Sequence, residues 1–259
     1  MNAMGATYGV VARDLIRAFR QKGRLIGGLV RPFMWLVLVG TGYNAIAHVD
    51  GVSSYRVFVY PGVIVMATMF GAMLTAISTV YDREFGMLRL MLASPAGIPA
   101  LLMGRMIAAT VIGSVQGGVV LLFLPFVAPV SAAQLAGALA ALVLGAAASS
   151  AIGLLVAAPL RSVENFAAVI NLVLFPLLFL SGALYPTMHM PALLREIARV
   201  NPVTYAVDLL RAALGQPAEF GAGRSAAVLV AATVVAFVLT AVLFDPERRL
   251  MLRHRPAGS

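Results

Sequence analysis

Long apolar runs separated by short charged segments dominate the chain. A helix needs ~20 predominantly apolar residues to cross ~30 Å of hydrocarbon, and six runs approach that length: about 29–47, 57–80, 101–127, 132–158, 166–185 and 224–244. Each is read as a membrane-spanning helix, and an even number puts both termini on one side. With the termini in the cytoplasm, the inside segments hold 14 of the 19 Lys and Arg residues, the other five being Arg56, Arg195, Arg199, Arg211 and Arg224. Basic residues favour the cytoplasmic side, so the expected topology is N-in and C-in.

Three segments between the runs have a pattern of their own. In residues 8–24, Arg13, Arg17, Arg20 and Arg24 recur at helical spacing, while Tyr8, Val11, Leu15 and Phe19 occupy the opposite side. Such a helix lies along the inner surface, either as a basic anchor on anionic lipid or as an interface helix that also touches a cytoplasmic partner. Pro32 is expected in the first turn of the first span, where its missing N–H costs little. Residues 82–95 are charged at their start, place Phe85, Leu88 and Leu92 on one helical face, and stop at Pro95. That short helix either rests on the bilayer or meets a partner.

Residues 186–222 are divided by Pro186, Pro191, Pro202 and Pro217. Two short helices fit there, one carrying Leu193, Ile197 and Val200, the next carrying Val203, Val207, Leu210 and Leu214. Both are too short to span, so they lie on the outer surface or dip partway in and return. No internal repeat and no polar linker divides residues 1–259, which reads as one membrane domain.

Composition agrees with lipid as the solvent: 61% of the 259 residues are hydrophobic and 11% charged, against about a quarter charged in soluble domains. The net charge of +9 sits in the short segments, as a topology signal, and not in a patch for nucleic acid. There is no cysteine, so thiol chemistry and disulfides are excluded. Residues 1–24 lack an apolar core, and the first apolar run is expected to be retained as a span and not cleaved as a signal peptide.

The runs are almost free of ionisable residues, which leaves an ion-coupled relay without obvious members. Driving force is therefore expected from outside the membrane. Lys22 is the only lysine and lies in a basic segment, so no phosphate-binding loop exists on this chain and a partner must hold the ATP. An intramembrane serine protease could use Ser181, but His48, His189 and His254 all fall in loops or the tail, and three scattered histidines make no metal site. Among polar residues within the runs, Thr68, Thr75, Asn171 and Ser181 either serve helix packing or face a translocation path, with Phe175 and Phe179 on the side of Asn171.

The stretch Asp82-Arg-Glu-Phe-Gly-Met-Leu-Arg-Leu-Met-Leu-Ala-Ser-Pro95, followed by Leu102-Met-Gly-Arg105, resembles the intracellular loop of ABC-2 type exporter permeases. Phe175-Pro-Leu-Leu-Phe-Leu-Ser-Gly-Ala-Leu-Tyr-Pro186, with Leu193-Leu-Arg195, Asn201-Pro-Val-Thr-Tyr205 and Arg211, resembles that family's fifth span and outer re-entrant region. The single-domain permeases of drug and lipo-oligosaccharide exporters are the subgroup it is most similar to.

The resemblance implies an all-α integral membrane protein with six transmembrane helices, an N-terminal amphipathic interface helix, a short cytoplasmic coupling helix and outer re-entrant helices between spans five and six. It implies a homodimer on two copies of a separate ABC ATPase, which carries ATP and Mg, in a bacterial-type plasma membrane. Under it, Arg13, Leu15, Arg17, Phe19, Arg20 and Arg24 belong to the interface helix, and Asp82, Glu84, Phe85, Leu88, Arg89, Leu92, Ser94 and Pro95 couple to the ATPase. The cargo expected is hydrophobic or amphipathic: a drug, lipid or glycolipid. The rival reading is an ion-coupled secondary transporter or channel.

Overall fold

The computed structural model describes residues 3–42, 54–88 and 97–253, with side chains to residue 244 and excepting those of residues 3, 24 and 41. Among the described residues the chain is helical and contains no strand. In chain order the helices are α1 (Ala3–Arg20), α2 (Lys22–Gly42), α3 (Tyr55–Thr75), α4 (Ile77–Glu84) and α5 (Gly97–Leu122), then α6 (Ala132–Ala157), α7 (Val163–Phe179), α8 (Ala192–Val200), α9 (Pro202–Ala213) and α10 (Ala222–Arg253).

Four of them are long and apolar enough to cross a membrane: Tyr55–Glu84, in which α4 continues α3, Gly97–Phe126, Ala132–Ala157 and Ala222–Phe244. Counting α1 and α2 together as one span bent by 67° makes five. The protein is an integral membrane protein, and the other two of the six expected runs differ from expectation. The first run corresponds to α2, which begins at Lys22, so Pro32 stands inside the helix and not in its first turn; residues 43–47 lie outside the described residues. The fifth run corresponds to α7, whose 17 residues reach only ~26 Å. It stops at Phe179 because the chain turns there: Gly182 takes a φ of 77°, and the Ser181 hydroxyl donates to the Leu178 carbonyl at 2.6 Å.

The α3–α4 run is the core of the bundle, with 83% of its most apolar window buried, whereas the α10 window is only 22% buried. Small residues let the neighbours approach α3 closely. A Cβ placed on Gly113 of α5 would stand 2.8 Å from the Thr68 carbonyl oxygen, and one on Gly153 of α6 would stand 2.9 Å from the Met73 Cα. The outward sides of α5 and α10 carry exposed Ile107, Val111, Val115, Val234, Val238 and Val242, as lipid-facing surface requires.

The two expected short helices are α8 and α9, and they are tied to the end of α7. Asn201 caps α9, accepting from the Val203 N–H at 3.0 Å and donating to the Leu177 carbonyl at 2.7 Å. Arg211 donates to the Gly182 carbonyl at 2.7 Å and lies 4.1 Å from the centre of the Phe58 ring. Buried Asp208 closes the segment, accepting from the Glu219 N–H, the Phe220 N–H and the Ser225 hydroxyl. Asp208→Ala is expected to cost about 2 kcal/mol by stranding these donors, measurable as a lowered melting midpoint in detergent.

Candidate functional site

Arg105 sits in the third turn of an apolar helix, α5, and an unpaired guanidinium there would be prohibitive. Its partner comes from α4: Arg105 donates to Asp82 Oδ2 at 2.6 Å, with both side chains 2% exposed, and also to the Thr79 hydroxyl at 3.0 Å. The same carboxylate receives two arginines of α1, Arg13 at 2.8 Å and Arg17 at 3.3 Å. Arg13 in turn pairs with buried Asp14 at 2.9 Å. Burial works against the Arg13 charge, but Asp14 and Asp82 outweigh it and hold its pKa above the ordinary guanidinium value.

These contacts turn α1 around relative to the sequence expectation. Arg13 and Arg17 face the bundle, while Met4, Tyr8, Ile16 and Phe19 are exposed. The helix lies across α5, where Gly104 admits Val10 and the Thr7 carbonyl, and the Thr7 hydroxyl donates to the Ala100 carbonyl at 3.2 Å. Leu15 is half-buried and Arg20 exposed. The Arg24 side chain lies outside the described residues.

Three consecutive charged residues at the end of α4 each grip different helices. Asp82 holds α1 and α5. Arg83 donates to the carbonyls of Ala157, at the end of α6, and Leu160, at 3.1 and 2.5 Å, and lies 4.9 Å from the ring of Phe244 on α10. Glu84 accepts from the Val163 N–H at 2.8 Å, at the start of α7, where the helix dipole favours an anion. Beyond them the chain turns through Phe85 and Gly86, whose φ is 76°.

Of the residues expected to meet a partner, Phe85 is 62% exposed, whereas Asp82 and Leu88 are buried inside this chain. Leu88 packs with Ile98, Leu102 and Phe244. α4 ends at Glu84, so Asp82 and Glu84 close a helix that began upstream and do not open one over 82–95. Arg89, Leu92, Ser94 and Pro95 lie outside the described residues.

The polar residues of the runs divide by surroundings. Thr68 and Thr75 return their hydroxyls to the Ile64 and Gly71 carbonyls of their own helix. The Ser181 hydroxyl is taken by backbone groups. Asn171 is exposed on α7, with its amide on the Ala167 carbonyl. Phe175 and Phe179 are half-buried and stacked 6.2 Å apart, with Trp35 of α2 edge-on to Phe179 at 5.7 Å.

An apolar helical bundle whose charges gather at its two ends, one of them around a loop carrying an exposed aromatic, suits a transport subunit better than a catalyst. The sequence profile of the ABC-2 type transporter family matches residues 6–214. The chain belongs to that family. It is similar to Nodulation protein J of Rhizobium leguminosarum bv. viciae, 30% identical over 234 residues that cover 88% of each chain. The Putative transport permease ycf38 of Cyanophora paradoxa is 29% identical over 212 residues, 78% of this chain and 71% of the relative. The Probable multidrug ABC transporter permease YbhR of Escherichia coli (strain K12) is 25% identical over 206 residues, 77% of this chain and 52% of the relative.

For an ABC-2 permease the notable omission of the sequence reading is Asp14 together with the partners of Arg105. A signal existed: a lone arginine within an apolar run demands a buried carboxylate, and Asp82 is the acid at the matching end of the preceding run.

Proposed function

We propose that this ABC-2 permease is the membrane subunit of an exporter that moves a hydrophobic or amphipathic molecule, powered by a separate ATP-hydrolysing subunit. The observation that carries this reading is the grip of Asp82, Arg83 and Glu84 on α1, α5, α6, α7 and α10. A push on the loop after α4 would move the ends of those helices together, as rigid-body switching requires. Phe85, exposed at the head of that loop, is the docking anchor for the ATPase. Residues 82–95 form the coupling segment, residues 8–24 the interface helix and residues 186–222 the re-entrant region of one membrane domain.

In this reading the chain crosses the bacterial plasma membrane six times, with both termini cytoplasmic, and α7 is the fifth crossing. Two copies assemble with two ATPase subunits, which bind ATP and Mg. Asn171, Phe175 and Phe179 face the path between the two copies, joined by Thr68, Thr75 and Ser181 at its wall. Ion coupling is the weaker reading, because the buried acid Asp82 stands at the end of its run and not at the midplane where coupling ions bind.

Phe85→Ser tests the docking role. It removes an exposed side chain, so melting should stay within about 0.5 kcal/mol of wild type, while affinity for the partner ATPase falls roughly thirtyfold, as for an aromatic hot spot. Equal affinity of the two forms in a pull-down titration, or transport by the purified permease alone under a proton gradient, would count decisively against the proposal.

A further inference from the structure

Arg31 carries its charge at a depth where lipid is otherwise the solvent. It lies nine residues beyond the start of α2 at Lys22 and is exposed, and its guanidinium carbon sits 4.4 Å from the centre of the Phe70 ring. Phe70 stands 15 residues from one end and 14 from the other of the 30-residue α3–α4 run, so the charge lies close to the midplane of any bilayer that this run crosses. A guanidinium cannot shed its proton, and a charge at that depth faces a water-filled space or a ligand path, not hydrocarbon.

Among the described residues no carboxylate pairs with Arg31. Within α2, α7 and the four apolar runs the acids are Asp82, Glu84 and Glu164, each in a terminal turn. A second copy of the chain packed against this face therefore has no carboxylate in its crossing helices to bring to the midplane. The face of Phe70 offsets only part of the cost of a desolvated cation. Trp35 follows Arg31 by one turn of α2, about 6 Å along the axis, and stands edge-on to Phe179 of α7 at 5.7 Å. Phe179 stacks on Phe175 at 6.2 Å, and Phe175 meets Phe70 edge-on at 6.5 Å. The four rings join α2, α3 and α7 in one aromatic surface that begins beside the guanidinium.

We propose that this surface binds an anionic amphiphile, with its anionic group on Arg31 and its apolar chain along Trp35, Phe175 and Phe179. The ligand supplies the negative charge that the crossing helices lack at this depth. A neutral amphiphile leaves the Arg31 charge unmet, and a cationic one adds to it. The site gives the cargo of the exporter a negative charge and to that extent rests on the function proposed above; binding itself needs neither an ATPase nor turnover, so either can fail without the other.

Trp35 is the only tryptophan of the chain, and its emission reports occupancy of this surface. The protein, purified in an uncharged detergent, is titrated with a nitroxide-labelled fatty acid, ionised at alkaline pH, and with the uncharged methyl ester of the same acid. Saturable quenching by the acid is expected, with the ester about tenfold weaker. Arg31→Gln should weaken the acid about tenfold, to the level of the ester, and leave the ester unchanged, whereas Arg31→Lys keeps the charge and should keep the preference. Both variants change an exposed side chain and are expected to fold, as checked by melting, and the wild-type comparison of acid with ester needs no variant. Displacement of the label by phosphatidylglycerol would make the occupant a bilayer lipid, and displacement by dodecyl sulfate alone would make it a free amphiphile. Equal affinity for acid and ester, no saturable quenching by the acid, or wild-type affinity for the acid in Arg31→Gln overturns the proposal.

Discussion

Asp82→Ala is expected to destabilise the detergent-purified permease by about 3–5 kcal/mol, enough to remove most of the stability a protein of this kind has in reserve. One carboxylate there serves Arg105, Arg13 and Arg17, from two helices that touch the core helix at different places. Truncating it deprives buried Arg105 of this carboxylate and removes the ion pairs that Arg13 and Arg17 make from α1 to α4. The variant should therefore melt early and expose the α1 segment to protease at temperatures where the rest of the bundle survives. A paired change, Asp82→Leu with Arg105→Leu, removes both buried charges and should recover part of the loss, since apolar replacement of a whole ion pair is often tolerated. Wild-type melting of Asp82→Ala would show that the cluster has no structural weight.

Gly113→Leu should be almost as damaging, by about 3 kcal/mol, for a different reason. A Cβ at Gly113 would collide with the Thr68 carbonyl and with Ala72, and Gly71 faces it across the same crossing. Neither obstacle is the free end of a flexible side chain, so α3 and α5 would have to separate. Gly118 is the control on the same helix: a Cβ there meets nothing within 4 Å, and Gly118→Leu should melt as wild type. If the two leucine variants behave alike, close packing at the α3–α5 crossing is not what holds these helices.

How much was legible in the sequence depended on the range of the physics involved. The runs about 57–80, 101–127, 132–158 and 224–244 reappear as long helices, because hydropathy and length act locally. The two short helices after Pro191 were legible from the prolines and the spacing of their apolar residues. The end of α7 was not, since the turn at Ser181 and Gly182 interrupts a sequence that stays apolar through Ala183 and Leu184.

Orientation within the bundle was least legible. Arginines at helical spacing in residues 8–24 read as a basic anchor on anionic lipid or as part of an interface helix; Arg13 and Arg17 turn inward because Asp82, some 65 residues away, completes them, while Arg20 is exposed. Asp82 and Leu88 read as docking residues for the same reason: a charge and an apolar side chain in a loop give no sign of which partner within the chain has already claimed them. Phe85 stays exposed even with the Tyr81 ring of its own helix 4.3 Å away.

The shortness of α7 has a consequence for the membrane itself. If α7 is a crossing, a helix of ~26 Å beside neighbours of 26 to 30 residues cannot be matched by one uniform hydrocarbon thickness of ~30 Å. The mismatch is met by local thinning of the bilayer, by the residues that flank the helix or by a second copy packed against it.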